Sequence, residues 1–304
     1  MVGGAIERAL RRAGYRDIVV RSRDEVPLDD ATATARFFAE ERPDWVFLAA
    51  AKVGGILANA LQSADFIRDN LRIQINVIDA AYRNGASRLL FLGSSCIYPK
   101  HAPQPIREDA LLTGPLEPTN SAYAVAKIAG REMCDAYRKQ FGFNAFTIMP
   151  CNVYGIGDNF HPDNSHVIAG LMRRFHDAKV RGAPSVSVWG SGTLLREFIF
   201  SEDLGDAARF LMEKYDEGGM INSGSGQEIS IADLAARLRE VVGYAGELRF
   251  DPSKPDGTPR KLMDSSRLFA MGWRPATDLD EGLAAMYRWY LEQGPGAVRR
   301  VDAA

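Results

Sequence analysis

Short apolar runs alternate with amphipathic stretches along the first half of the chain, and this alternation restricts the possible folds more than any other feature. We expect buried strands at Asp17–Val20, Trp45–Ala50, Arg88–Gly93 and Asn144–Met149. We expect helices between and around them, at Gly3–Ala13, Asp30–Glu41, Asp65–Arg83 and Ser121–Phe141. Strands that alternate with helices predict a parallel sheet with helices on its faces.

The N-terminus departs from the order that a dinucleotide-binding sheet of the Rossmann type requires. Such a sheet starts with a strand and a glycine-rich turn, followed by a helix whose N-terminus receives the pyrophosphate. Here Met1-Val2-Gly3-Gly4 leads directly into the helix, so Gly3 matches the last glycine of the turn. We therefore predict an α/β, Rossmann-type doubly wound sheet that lacks its first strand, and we expect Met1 to be an internal methionine of a longer product. The alternative is a flexible terminus before an amphipathic helix.

The regular alternation stops near Met149, where glycine and proline become frequent. We assign residues 1–150 to the nucleotide-binding domain, and residues 151–195 and 224–304 to a smaller α/β substrate-binding lobe. Residues 196–223 are expected to return to the main sheet, because Arg196–Leu211 has the pattern of a strand followed by a helix.

Composition favours small-molecule chemistry. The 37 Lys and Arg residues are balanced by 39 Asp and Glu residues, which argues against a nucleic-acid surface. The three cysteines (Cys96, Cys134 and Cys151) lack metal-ligand spacing and cannot all pair, so we expect no metal site, no disulfide framework and a cytoplasmic location. No apolar run reaches the ~20 residues that cross a membrane.

Tyr123 and Lys127 are the strongest local indication of catalysis. Their i, i+4 spacing places both on one face of a helix, where the ammonium group favours the ionised phenol. A phenol activated in this way donates or accepts a proton, as a ketone reductase requires. The pair lies downstream of Gly93-Ser94-Ser95-Cys96, at the end of a predicted strand.

Three positions near the ends of predicted strands indicate a nucleotide cofactor. Arg21 and Arg23 stand where an arginine accommodates the 2′-phosphate of NADP, although a solvated charged turn is the alternative. Ala50 lies among small residues that let a cofactor approach the backbone; a tight strand-to-helix connection needs the same residues.

Nine ordered motifs extend over nearly the whole chain. They are Ala50–Ile56, Phe91–Lys100, Glu117–Asn120, Tyr123–Gly130, Asp158–Pro162, Asn164–Ile168, Val188–Gly192, Arg196–Phe198 and Ser253–Lys261. Through them the sequence resembles the extended short-chain dehydrogenase/reductases, and among these the GDP-L-fucose synthase group. The resemblance implies NADPH-dependent conversion of GDP-4-keto-6-deoxy-D-mannose to GDP-L-fucose, by epimerisation at C3 and C5 and reduction at C4.

The resemblance also assigns catalytic roles. Ser94 and Tyr123 would hold the C4 oxygen, while Lys127 holds the cofactor ribose and lowers the pKa of the tyrosine. Cys96 is expected to act as the base of epimerisation and His166 as the acid. Without the resemblance, the favoured interpretation of Cys96 is a small buried hydrophobe and that of His166 a polar residue at a helix start.

Binding residues follow from the same resemblance. The cofactor would contact Gly3, Arg21, Arg23, Ala50, Leu92, Gly93, Ser94, Ser95, Lys127, Pro150, Asn152, Val153 and His166. The substrate would contact Arg174, Trp189, Arg196, Asp256 and Lys261. Otherwise Arg174 belongs to a solvated helical pair, Trp189 to the core, and Asn152 and Val153 to a plain turn. The resemblance further implies a homodimer formed through helices Asp65–Arg83 and Ser121–Phe141.

Two other functions are compatible with parts of the sequence. A nucleotide-sugar 4-epimerase or dehydratase would share Ser94, Tyr123 and Lys127. Dehydratases of this group typically carry an acidic residue beside a threonine where this chain has Ser94-Ser95-Cys96, so the cysteine favours the epimerase/reductase. A non-catalytic binding or assembly protein is supported by the N-terminus alone.

Overall fold

The computed structural model describes residues 1–162, 165–253 and 260–293 of the chain. Helices in these ranges are α1 (Val2–Arg12), α2 (Ala31–Glu41), α3 (Ile56–Leu61), α4 (Ser63–Arg83), α5 (Ser121–Phe141), α6 (Val167–Arg181), α7 (Ser201–Lys214), α8 (Ile231–Val242), α9 (Ser266–Ala270) and α10 (Leu279–Gln293). Strands are β1 (Trp45–Leu48), β2 (Arg88–Leu92), β3 (Asn144–Pro150), β4 (Asn152–Tyr154), β5 (Ser185–Trp189), β6 (Leu195–Phe200), β7 (Met220–Ser223), β8 (Glu228–Ser230), β9 (Glu247–Asp251) and β10 (Arg260–Lys261).

The main sheet is parallel, with strand order β1-β2-β3-β7. Its strands are apolar on both faces because helices cover both. On one face, Ile6 and Leu10 of α1 and Leu211 of α7 belong to a single hydrophobic cluster with the strands. On the other face, Val77 of α4 and Cys134 of α5 belong to a second cluster. The predicted doubly wound α/β arrangement is confirmed.

Helix and strand predictions in the first 150 residues agree with the structure, with one exception. The four predicted helices form with ends within two residues of those expected, and the side chain of Asp30 caps α2 by accepting the N–H of Ala33 at 2.9 Å. The predicted strand Asp17–Val20 is wrong: these residues are not in a strand, and Val19 and Val20 are 38% and 55% exposed. A strand needs a hydrogen-bonded neighbour, and Asp17–Val20 instead borders the same cleft as β1 without pairing with it.

The second lobe has its own core. Strand β6 pairs in parallel with β4 and β10 and antiparallel with β8, while β5 and β9 form a separate parallel pair. Helices α6, α8 and α10 supply Phe175, Leu238 and Met286 to the buried cluster of this lobe.

Residues 196–223 return to the main sheet only in part. Strand β6 pairs with β4, β8 and β10 rather than with the main sheet, whereas α7 packs against α1 and β7 joins β3. The reason lies at Cys151, where the chain leaves β3 and enters β4 outside the main sheet. Strand β6 then pairs with β4, and the chain rejoins the main sheet at β7.

Two further expectations concern what the described residues contain. No helix among them has the length and apolar character needed to cross a membrane. Within the same ranges, His, Cys, Asp and Glu side chains form no group of three or more that could hold a metal ion.

Candidate active site

A cleft of about 2430 Å³ opens at the carboxyl ends of β1, β2 and β3. Ligands of open parallel sheets bind at this edge. Every predicted site residue that the structure describes lines the cleft, whereas Asp256 lies outside the described residues. Ordinary ligand sites have volumes of roughly 300–1,000 Å³. This cleft is larger, and its lining extends to Asp17–Val20 and to the residues of β1.

Cys96 stands in a short 3-10 turn, Ser95–Ile97, that follows β2. Gly93, which precedes this turn, lets the end of β2 pack closely on β3. A Cβ at Gly93 would lie 2.3 Å from Sδ of Met149 on β3. The hydroxyl of Ser94 accepts the N–H of Cys96 at 3.3 Å and closes the turn. The thiol is half-buried, so it can meet a ligand in the cleft.

Two donors face the sulfur of Cys96. Nδ2 of Asn120 donates to Sγ at 3.4 Å, and Nζ of Lys261 lies 3.9 Å away. Asn120 directly precedes α5, so the thiol contacts the start of the helix that carries Tyr123 and Lys127. The sulfur thus stands between the start of α5 and β10.

Tyr123 and Lys127 are buried on the same face of α5, as their spacing predicts. Nζ of Lys127 donates to the carbonyl oxygen of Leu92 at 2.7 Å and lies 5.9 Å from the ring centroid of Tyr123. Burial lowers the pKa of Lys127 to about 7. Burial also raises the pKa of Tyr123; the charge of Cys96 adds to this rise, and a hydrogen bond with Ser94 opposes it. Burial is the largest cause, so the pKa of Tyr123 is raised, in the direction opposite to the lowering expected from Lys127.

His166 reaches the cleft from the second lobe. It directly precedes α6 and its backbone oxygen accepts the N–H of Gly170 at 2.9 Å. The side chain is exposed and lines the same cleft as Cys96. The predicted acid and the predicted base therefore open onto one space from different elements.

The end of the cleft where the cofactor is expected carries cations and a helix terminus. Arg21 pairs with Glu41 at 2.6 Å and Arg23 with Asp29 at 3.5 Å, and both arginines are exposed. Exposed pairs of this kind contribute only about 0–1 kcal/mol, so a phosphate can replace the carboxylates at little cost. Gly3 lies in the first turn of α1, where backbone N–H groups lack intrahelical partners and attract anions.

The remaining predicted cofactor contacts border the same space. They are Ala50 after β1, Leu92 and Ser95 around the end of β2, and Pro150, Asn152 and Val153 at the junction of β3 and β4. Nδ2 of Asn152 donates to the carbonyl oxygen of Glu197 at 2.8 Å, which ties this junction to β6.

The end of the cleft where substrate is expected carries three predicted cations. The guanidinium group of Arg174 donates to the carbonyl oxygen of Ser187 at 3.0 Å and lies 5.9 Å from the ring centroid of Trp189. Trp189 is 62% exposed, so the alternative that places it in the core is wrong. Arg196 on β6 pairs in register with Lys261 on β10, which brings the other two cations side by side.

Two cleft residues were not singled out from the sequence. Asn120 contacts the predicted base, and Lys52 lines the cleft while forming ion pairs with Asp69 at 3.2 Å and Asp65 at 3.8 Å. Both stand inside the motifs described above, but only the packing of separate elements shows what they contact.

Comparison with known proteins agrees with this geometry. A sequence model described as the NAD dependent epimerase/dehydratase family matches residues 1–224. The chain belongs to this family. Family relatives include GDP-L-fucose synthase 1 of Arabidopsis thaliana, 56% identical over 292 residues that cover 96% of this chain and 90% of the relative.

Two further family members support the same grouping. GDP-L-fucose synthase of Escherichia coli (strain K12) is 52% identical over 301 residues, covering 96% of this chain and 94% of the relative. A solved GDP-L-fucose synthetase from Naegleria fowleri, bound to NADP, superposes with a TM-score of 0.89 at 26% identity and covers 96% of this chain and 91% of its own. The relation to the GDP-L-fucose synthase group that the motifs indicated is confirmed.

Proposed function

We propose that this chain converts GDP-4-keto-6-deoxy-D-mannose to GDP-L-fucose by epimerisation at C3 and C5 and NADPH-dependent reduction at C4. The observation that carries the proposal is the position of Cys96 beside Ser94 and Tyr123 in one cleft. A reductase of a simple ketone needs the hydroxyl pair alone. The thiol adds a group that exchanges protons at carbon, which epimerisation requires.

Epimerisation depends on stabilising charge at the C4 oxygen. Protons at C3 and C5 are acidic because both carbons adjoin the ketone, and removing either one places negative charge on that oxygen. Ser94 and Tyr123 donate hydrogen bonds to it and lower the free energy of the enolate. Cys96 removes the proton and His166 returns one from the opposite side, which inverts each centre in turn.

Reduction uses the same hydroxyl pair. NADPH supplies the hydride when bound. Tyr123 gives its proton to the C4 oxygen, and its raised pKa makes that proton well retained until negative charge develops on the oxygen. Lys127, which lies 5.9 Å from the ring centroid of Tyr123 and donates to the carbonyl oxygen of Leu92, would hold the ribose hydroxyls and replace the proton.

The residues around the cofactor end suit a phosphorylated dinucleotide. Arg21 and Arg23 present guanidinium groups for a 2′-phosphate, and the first turn of α1 presents N–H groups to the pyrophosphate. We therefore assign NADP(H) as the cofactor. GDP-4-keto-6-deoxy-D-mannose would lie at the opposite end, near the cations Arg174, Arg196 and Lys261.

The test is product analysis after incubation of the full chain with GDP-4-keto-6-deoxy-D-mannose and NADPH. GDP-L-fucose should accumulate with stoichiometric NADPH oxidation. Formation of the C4-reduced product without inversion at C3 and C5 would leave only a reductase, and the absence of any turnover would reject the proposal.

We also propose a homodimer in the cytoplasm. Ile75 on α4 and Val125 on α5 are 50% and 44% exposed, which supports an interface on these two helices. Cys96, Cys134 and Cys151 are free thiols, as expected in a reducing compartment.

A further inference from the structure

Glu197 is a fully buried carboxylate next to the substrate end of the cleft, and the chemistry above gives it no role. It lies on β6 between Arg196 and Phe198. Oε1 accepts the N–H of Gly226 at 2.7 Å, and Oε2 accepts the N–H of Met263 at 2.9 Å. Burial raises the pKa of Glu197 to about 7, backbone donors oppose the rise, and the charge of Glu228 adds to it.

The two hydrogen bonds tie separate segments to β6. Met263 follows β10, whose Lys261 pairs in register with Arg196 and lies 3.9 Å from the sulfur of Cys96. Gly226 belongs to the turn between β7 and β8. A buried carboxylate that loses such donors pays the cost of an unsatisfied charge, so both segments are held firmly against the strand.

Gly224 shows how closely the carboxylate is enclosed. A Cβ at this position would lie 2.2 Å from Oε1 of Glu197, so a larger residue would displace the carboxylate. The N–H of Gly224 donates to Oγ of Ser265 at 2.8 Å, which links the turn to the segment that follows Lys261. The turn between β7 and β8 and the segment after Lys261 are therefore both held at the carboxylate of Glu197.

We propose that Glu197 is a positioning residue that holds Lys261 at the substrate end of the cleft and so supports binding of the nucleotide sugar. Glu197 does not touch the ligand; it acts through the backbone of Met263 and the β6–β10 pairing. The inference rests on the proposed function only in taking a GDP-sugar as the ligand of the cations.

The test measures binding of GDP-mannose by calorimetry, without cofactor, to the full chain and its variants. Glu197→Gln keeps the shape of the side chain but turns an amide N–H toward a backbone N–H. We expect the Kd to rise about tenfold. Gly224→Ala, which displaces the same carboxylate sterically, should raise the Kd in the same direction.

A double-mutant cycle separates positioning from general loss of stability. In a Lys261→Ala background, Glu197→Gln should change the Kd less than about twofold, because the group through which it acts is gone.

Asp203→Asn is the matched control. Asp203 is also buried and accepts two backbone N–H groups, those of Ala276 and Thr277, but does so outside the cleft. This control should lower the melting temperature and leave the Kd unchanged.

The outcomes are distinguishable. An equal rise of the Kd in both backgrounds, or wild-type affinity in Glu197→Gln, overturns the positioning role while leaving the proposed function intact. If the unaltered chain does not bind GDP-mannose, the proposed function fails and the role of Glu197 fails with it.

Discussion

At the scale of single residues, the thiol of Cys96 is the group that distinguishes the proposed reaction from simple ketone reduction. Its sulfur faces Asn120 and Lys261, and the proton transfer proposed for it is separate from hydride transfer. In Cys96→Ala we expect deuterium uptake from heavy water at C3 and C5 to fall by roughly 10²-fold or more, the usual contribution of a general base. Cys134→Ala is the control, because this buried thiol lies away from the cleft and should affect stability only. Unchanged deuterium uptake in Cys96→Ala would contradict the assignment.

Replacement of Tyr123 should impair the reduction step. Tyr123→Phe removes the proton donor for the C4 oxygen but keeps the ring, which packs edge-on against Phe66. We expect NADPH oxidation to fall by about 10²–10⁴-fold while the melting temperature stays within a few degrees of the wild type. Single-turnover absorbance at the NADPH band measures the step directly. A wild-type rate would remove Tyr123 from the mechanism.

Lys127 makes stability depend on pH. The folded pKa is about 7 against an ordinary value of 10.5, so between these limits the unfolded chain holds a proton that the folded chain lacks. Stability of the wild type should therefore rise with pH over this window. Lys127→Met lacks this dependence because methionine does not titrate. The unfolding free energy of the variant minus that of the wild type should therefore fall by roughly 2–3 kcal/mol between pH 6 and pH 9. Urea unfolding at both pH values measures it; a pH-independent difference would show that the ammonium is not desolvated.

At the scale of secondary-structure elements, the contact of α1 with α7 depends on one glycine. A Cβ at Gly205 would lie 2.6 Å from backbone atoms of Ala5, which cannot move aside as a side chain can. Gly205→Ala should therefore destabilise the chain by about 1–3 kcal/mol despite the better helix propensity of alanine.

The matched control for Gly205 lies on the facing helix. At Gly4 the nearest atom to an added Cβ belongs to the flexible end of Arg8, at 3.2 Å. Gly4→Ala should be neutral or stabilising by up to ~1 kcal/mol. Denaturant titration compares the two, and equal effects would show that α1 does not pack closely on α7.

The proposed homodimer can be tested at the scale of the whole molecule. Ile75→Glu or Val125→Glu places a charge on the exposed apolar face of α4 or α5, where burial in an interface would be costly. Light scattering should show the mass falling to that of one chain. Val180→Glu, on α6 of the other lobe, changes an even more exposed residue and should leave the mass as it was. A monomeric wild type would contradict the dimer.

Predictions from the sequence succeeded where the cause was local. Helix α5 and the shared face of Tyr123 and Lys127 follow from spacing along a single helix. The buried strands β1, β2 and β3 follow from continuous apolar runs. The same reasoning was wrong for Asp17–Val20, because apolar residues form a strand only when a neighbouring strand completes their hydrogen bonds.

The sequence by itself determined the chemical groups available and the family to which the chain belongs, since these depend on residue type and order. The tertiary structure alone decided which groups meet: Asn120 and Lys261 at the sulfur of Cys96, and the carboxylate of Glu197 at the N–H of Met263. It also decided that the pKa of Tyr123 is raised rather than lowered, because desolvation depends on everything packed around the phenol. Contacts between residues distant in sequence, and the burial they produce, leave no mark on local spacing.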